Sequence, residues 1–156
     1  SLTPKAVGKK SFVITRRNDE KMYKYNCKIV RVIDGDSVIV DIDLGFNHFI
    51  HNESIRLYGC DTPECRTRDA TEKAAGLLAK KFVEEALHVG GTYKLQTEEK
   101  GKFGRYLGTI YLTDETSIND VLIKERLAVS YFGQSKVAVK EAHLANRLFL
   151  KEKGML

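Results

Sequence analysis

The apolar positions of the chain change period more than once, and each change marks an element. Lys28 to Ile33 is a β-branched, apolar run that Asp34-Gly35 closes in a tight turn, and from Ser37 to Leu44 the side chains alternate. Val38, Val40, Ile42 and Leu44 fall on one face, Ile39, Asp41 and Asp43 on the other, which predicts a β-hairpin with one buried face. Gly45 to Asn52 reads as a polar, glycine-containing loop, and a third strand is expected from Glu53 to Cys60. In that strand Ile55 and Leu57 share a face with Asp61, while Arg56 points the other way.

From Thr71 to His88 the period becomes helical: Ala75, Leu78, Ala79, Phe82, Val83 and Ala86 repeat at three and four residues, with the charged positions mostly elsewhere on the wheel. This predicts an amphipathic helix lying on the sheet, stopped by Gly90-Gly91. Thr92 to Thr97 and Tyr106 to Leu112 read as two more strands around a basic loop, Glu98 to Arg105. Ser117 is the expected N-cap of a helix through Leu127, and Ser135 that of a last helix to about Lys153. Three strands, a helix, two strands and two helices predict a mainly β, α+β protein: a five-stranded OB-fold barrel with three helices.

The length of 156 residues suits one domain, and seven Phe and seven Tyr supply core material for it. Residues 1–24 read as an N-terminal arm or an added edge strand built on Phe12-Val13-Ile14, and residues 25–156 as the domain. A net charge of +5 suits a polyanionic partner without requiring one. No apolar run approaches the roughly 20 residues of a membrane helix, so no membrane partner is expected, and the protein is expected to be a monomer. Ser1 to Lys10 lacks the apolar centre of a secretion signal, although a signal already removed leaves no trace. Three cysteines are too few for a disulfide framework, which favours a reducing, cytoplasmic compartment over secretion.

The candidate chemistry lies where the predicted strands end. Asp34-Gly35-Asp36-Ser37 and Asp61-Thr62-Pro63-Glu64 each read, alone, as turn chemistry, since Asp favours turns and Pro fixes φ. Brought together, Asp36 and Asp61 repel unless a cation joins them. A hard ion such as calcium accepts both carboxylates, the backbone carbonyl of Thr62, waters and a phosphate. Glu64, on a loop stiffened by Pro63, is then placed to hold a water against that phosphate. Arg56 and Arg105 supply guanidinium forks for its oxygens. In the loop Lys100 to Arg105, Lys102 adds charge and Phe103 a ring for sugar or base, and Tyr131 offers a second ring for stacking or for anchoring a helix junction. His48, His51, Cys60 and Cys65 include the ligand types of structural zinc, but at poor spacing. His88 and His143 read as surface residues of helices.

Three segments in this order, Val32-Ile33-Asp34-Gly35-Asp36-Ser37, Ile55-Arg56-Leu57-Tyr58-Gly59-Cys60-Asp61-Thr62-Pro63-Glu64 and Lys102-Phe103-Gly104-Arg105-Tyr106-Leu107, resemble the staphylococcal nuclease (thermonuclease) family. Asn119, Leu122 and Leu127-Ala128 fit as well, so the resemblance runs from about Tyr25 to the last helix. It implies an OB-fold barrel with three helices and a calcium-dependent phosphodiesterase that cuts DNA and RNA with little sequence preference. It implies calcium carboxylates at Asp36 and Asp61, a carbonyl ligand at Thr62, phosphate-binding arginines at Arg56 and Arg105, and at Glu64 the residue that orients or deprotonates the attacking water. Expulsion of the 5′ oxygen would leave 3′-phosphate and 5′-hydroxyl ends. Lys102 and Tyr131 match the substrate-contacting pattern. Ser37 stands where threonine is usual, and Phe103 where the best-known member has a tyrosine, which removes a hydrogen bond to phosphate. Barrels of this kind also serve as catalytically inactive nucleic-acid or protein-binding modules; the intact acids favour the enzyme.

Overall fold

The computed structural model describes residues 23–100 and 104–156. Its elements are β1 (Lys24–Asp34), β2 (Ser37–Gly45), β3 (His48–Leu57), a short β4 (Cys60–Asp61), helix α1 (Ala70–Ala86), β5 (Thr92–Lys100), β6 (Tyr106–Tyr111), helix α2 (Ile118–Lys124), a short β7 (Val129–Ser130) and helix α3 (Lys136–Glu152). Among the described residues, five strands close a barrel in the order β1-β2-β3-β6-β5, and β4 pairs with β7 in a separate ribbon. This is the mainly β barrel with three helices that the order of elements predicts.

The barrel closes because β1 serves two neighbours. Its first half pairs with β5, from Lys24 opposite Gln96 to Lys28 opposite Thr92, and from Asn26 to Asp34 it pairs with β2. Irregularities between Ile29 and Arg31 and between Val32 and Asp34 bend it between the two, as bulges do at barrel corners. Alternate side chains point inward: Cys27, Ile29, Val38, Val40, Ile55, Leu57, Leu95 and Ile110 are buried. Ala79 and Val83 of α1, Ile118 and Leu122 of α2, and Leu150 of α3 join them in one core. Burial of each large side chain stabilises the fold by about 1.5–3 kcal/mol.

Local chemistry sets the helix starts. Asp69 caps α1 by accepting from the amides of Thr71 and Glu72; Ser117 and Ser135, the expected caps, accept from Asp120 and Ala138. Asn119 ties α2 to the barrel where β3 and β6 run parallel. Its buried amide donates to the carbonyls of Tyr58 and Gly108, and its carbonyl accepts from the amide of Ile110.

Three expectations are corrected. Residues 45–52 are not a loop: the turn is only Phe46-Asn47, both at positive φ, and β3 begins at His48. The outer part of the hairpin, His48 to Asn52, is exposed on both faces, so no alternation of burial marks it. The third strand ends at Leu57 rather than Cys60, and Cys60-Asp61 pairs instead with β7, which the sequence pattern did not reveal. Helix α2 stops at Lys124, three residues short of Leu127. The expected edge strand at Phe12-Val13-Ile14 lies outside the described residues, as do Lys102 and Phe103.

Candidate functional site

The two acidic clusters meet at one end of the barrel through backbone bonds. The β1–β2 turn carries Asp36, whose carbonyl accepts from the amide of Leu57 at 2.8 Å. That bond, and the register that sets Ser37 opposite Arg56, fix the turn beside the end of β3. The chain then folds back at Gly59, which has φ 76°, a conformation glycine adopts at little cost. The amide of Tyr131 donates to the carbonyl of Gly59, and β4 lies against β7.

The fold-back overturns the expectation that Arg56 and Asp61 face opposite ways. Alternation holds only within an unbroken strand, and the turn at Tyr58-Gly59 resets it. Arg56 Nη2 stands 3.0 Å from Asp61 Oδ1 and 3.5 Å from Asp36 Oδ2, and Nη1 donates to the carbonyl of Cys60. The ring of Tyr131 covers the guanidinium, 5.9 Å from centroid to Cζ. Asp36 also accepts from the amide of Thr62 and from the hydroxyl of Ser37. Burial pushes the Asp36 carboxyl up from its ordinary value against the pull of Arg56 and the Thr62 amide.

Helix α1 holds the 62–64 loop in place through two glycine contacts. A Cβ at Gly76 would lie 2.6 Å from the carbonyl oxygen of Glu64, and one at Gly35 would lie 2.8 Å from the Cβ of Ala79 and 2.9 Å from the methyl of Thr62. The loop, the β1–β2 turn and the helix therefore approach more closely than any side chain allows. Glu64 and Arg105 line one pocket of about 220 Å³ with Ser37, Ser54, Asp34 and Arg66. Arg105 reaches it because the parallel pairing of Ile55 with Tyr106 sets the start of β6 beside Ser54. Burial raises the Glu64 carboxyl from its ordinary value, and the negative charges of Asp36, Asp34 and Asp61 raise it further.

Of the residues singled out from sequence, Asp36, Asp61, Arg56 and Tyr131 form one contact cluster, with Thr62 bound to it through its amide. Glu64 and Arg105 share the adjacent pocket, which Ser37 links to Asp36. Sequence reasoning missed His143. It is not a surface residue: its Nε2 lies 2.8 Å from Asp61 Oδ2, with its side chain 13% exposed. Its helical position does place it one turn before Asn146 and two before Leu150, buried residues of α3, and that spacing was the available signal.

The donor set suits a hard divalent cation. Two carboxylates share one guanidinium, which leaves them a residual negative charge, and Asp36 is buried where such charge is costly. Among the described residues no group of three or more His, Cys, Asp and Glu side chains gathers at ligating distance. Asp36, Asp61 and Glu64 are therefore not a three-carboxylate cage. A cation held by Asp36 and Asp61 would take its other oxygens from a backbone carbonyl, water and substrate, an open coordination that calcium accepts.

Residues 54–149 match the family model described as staphylococcal nuclease homologue. Over 105 residues the chain is 35% identical to a thermonuclease of Staphylococcus intermedius, covering 67% of this chain and 58% of that protein. It is 33% identical over 106 residues to a thermonuclease of Staphylococcus hyicus, covering 67% and 59%. An uncharacterized protein of Methanocaldococcus jannaschii is 30% identical over 129 residues, covering 69% of this chain and 59% of its own length. The chain thus spans less than two thirds of the length of these relatives.

Proposed function

The chain belongs to the staphylococcal nuclease family, and on that premise we propose that it is a calcium-dependent nuclease that hydrolyses phosphodiester bonds of DNA and RNA. One observation carries the reading: a single guanidinium, Arg56, lies against both Asp36 and Asp61, next to the pocket that holds Glu64 and Arg105. Acids for a cation, two guanidiniums for phosphate oxygens and a carboxylate for the attacking water together supply the means to hydrolyse a phosphodiester.

Each side chain has a separable task. Asp36, Asp61 and the carbonyl of Thr62 would hold calcium, which when bound supplies Lewis-acid polarisation of the phosphate and a template for it. Arg105 sets its N–H fork on the non-bridging oxygens, and Arg56, whose hold on Asp36 and Asp61 would be relieved once they bind calcium, would do the same; both stabilise the charge that grows there in the transition state. Glu64 accepts a hydrogen bond from the attacking water and orients or deprotonates it; the burial and the negative neighbours that raise its proton affinity improve it as an acceptor. Expulsion of the 5′ oxygen leaves a 3′-phosphate and a 5′-hydroxyl. Tyr131, 36% exposed over Arg56, offers a face for a base. Lys102 and Phe103 complete the proposed contacts to the substrate chain.

Cleavage of a plasmid and of a single-stranded RNA tests this, with calcium, magnesium or EDTA. Both substrates are expected to be cut in calcium, more slowly in magnesium and not in EDTA, with products that accept a 5′ label from a polynucleotide kinase without prior dephosphorylation. Glu64→Gln and Arg105→Ala are each expected to slow the reaction by about 10²–10³-fold. Undiminished cleavage by both variants removes the proposed site. Tight binding with no cleavage under any condition makes the protein a nucleic-acid-binding module instead.

A further inference from the structure

The pocket of Glu64 and Arg105 shares three lining residues with a larger depression. A depression of about 610 Å³ runs along α1, and Ile33, Asp34 and Arg66 line both it and the smaller pocket. Its other walls include Arg68, Lys73, Leu77 and Lys80. The volume falls within the span of roughly 300–1,000 Å³ of cavities that hold organic ligands.

The sequence builds this groove on purpose-spaced positions of one helix. Lys73, Leu77 and Lys80 stand four and three residues apart and so share a face of α1, whereas Ala75, Ala79 and Val83 turn to the core. The loop before the helix adds Arg66 and Arg68 beside that face. Four cations thus meet one carboxylate, Asp34. Among the described residues none of the four is engaged in an ion pair. Glu64 lines the adjoining pocket, and Asp69, just before α1, is occupied in capping the helix and lies 3.8 Å from Arg147. Leu77 lines the depression among these cations and is 46% exposed, which adds an apolar surface to a cationic wall.

We propose that this groove is a second strand-binding subsite, which holds the phosphates of a single-stranded nucleic acid beyond the phosphate at Arg105. The assignment of its substrate rests on the nuclease reading. Arg66 stands at the junction, Arg68, Lys73 and Lys80 contact successive phosphates, and an unpaired base or its sugar packs on Leu77 and Ile33. A cationic groove with apolar contact surface is the arrangement that binds single strands without reading sequence. A duplex keeps its bases stacked and leaves Leu77 uncovered, so the unpaired strand is preferred.

The test uses the variant Arg68→Gln/Lys73→Gln/Lys80→Gln beside a control of equal charge loss, Lys28→Gln/Lys124→Gln/Lys151→Gln. Two readouts are taken: the ratio of kcat/KM on a 20-nucleotide single strand to that on a dinucleotide, and the salt dependence of 20-mer binding in EDTA by fluorescence anisotropy. The groove variant is expected to lower the ratio about tenfold and to reduce the slope of log K against log salt by about 2, since each lost single-strand phosphate contact removes about 0.7. The control should move neither. Equal effects from both variants, or none from either, overturn the subsite. If the unaltered protein cuts neither substrate, the nuclease reading fails, and loss of 20-mer binding in the groove variant alone still establishes the groove. If it cuts both while ratio and slope stay put in the groove variant, the nuclease reading stands and the groove is ordinary solvated surface.

Discussion

His143 of α3 presents Nε2 to Asp61 Oδ2 at 2.8 Å, so the last helix reaches across to a carboxylate at the barrel end. The other oxygen of Asp61 faces Arg56, and the two contacts together fix the plane of the carboxylate. In the proposed site Asp61 is a calcium carboxylate, and partners that orient such a ligand typically change affinity or activity by about 10–100-fold when removed. His143→Ala is therefore expected to raise the calcium concentration for half-maximal cleavage about tenfold or more, and His143→Gln, which keeps a donor, to recover part of the loss. A calcium titration of each variant decides it. An unchanged requirement in His143→Ala would reduce the contact to an anchor for α3.

Arg56 supplies the cation between Asp36 and Asp61 within the protein, with its side chain only 18% exposed. Its removal leaves two carboxylates facing each other, and breaking a buried pair on one side costs about 3–5 kcal/mol; the partial exposure here places the loss toward or below the lower end. Bound calcium would replace the missing charge. In Arg56→Ala the melting temperature is thus expected to fall sharply in EDTA, and calcium to raise it by more than in the unaltered protein, since a ligand stabilises the state that binds it. Scanning calorimetry with and without calcium measures both shifts. Equal calcium shifts in the two proteins would show that the ion does not sit between these acids.

Much of the barrel and of its acidic end was legible because each signal was local. The alternation from Ser37 to Leu44, the helical period from Ala75 to Ala86 and the serines before α2 and α3 report structure within a few residues of themselves. What escaped depends on partners distant in the chain. The outer turns of β2 and β3 are held by each other's backbones, with side chains exposed on both sides. Strand β7 consists of two residues that, among the described residues, pair with Cys60-Asp61 alone. The facing of Arg56 toward Asp61 turns on one left-handed glycine, Gly59, and His143 reaches that same acid from 82 residues away. Side-chain period is silent on all of these, because it describes faces of an element and not where the element is docked.

Gly76 lies in the middle of α1, where alanine normally favours a helix by about 1 kcal/mol. Here a Cβ would stand 2.6 Å from the Glu64 carbonyl oxygen and 2.7 Å from that of Pro63. Both are backbone atoms, so the loop or the helix must move, and overpacking of this kind costs about 1–3 kcal/mol. Gly76→Ala is expected to lower stability on balance, and to reduce kcat more than it raises KM, because the loop that shifts carries Glu64. Urea unfolding and steady-state kinetics measure the two effects. A more stable and fully active variant would mean that the loop yields freely and that α1 does not position it.

The thiols of Cys27 and Cys60 provide the clearest dependence on pH. Burial pushes both up to about 12, for Cys27 against the pull of the Tyr93 backbone amide and for Cys60 with further help from the charge of Asp36. At pH 8 only about 10⁻⁴ of either is thiolate, so a disulfide reagent should label them only as the protein unfolds. Cys65, also raised by burial and by Asp34 and 8% exposed in the wall of the groove, should react first. A folded-state value above the unfolded one means that the folded protein holds these protons more tightly. The resulting stability is complete below the ordinary thiol value of 9.0 and is lost as pH rises toward about 12. Urea midpoints at pH 8 and about 10.5 should therefore separate in the unaltered protein and draw together in Cys27→Val/Cys60→Val. Rapid labelling of all three cysteines in the folded protein at pH 8 would show that the barrel opens far more readily than its buried core implies.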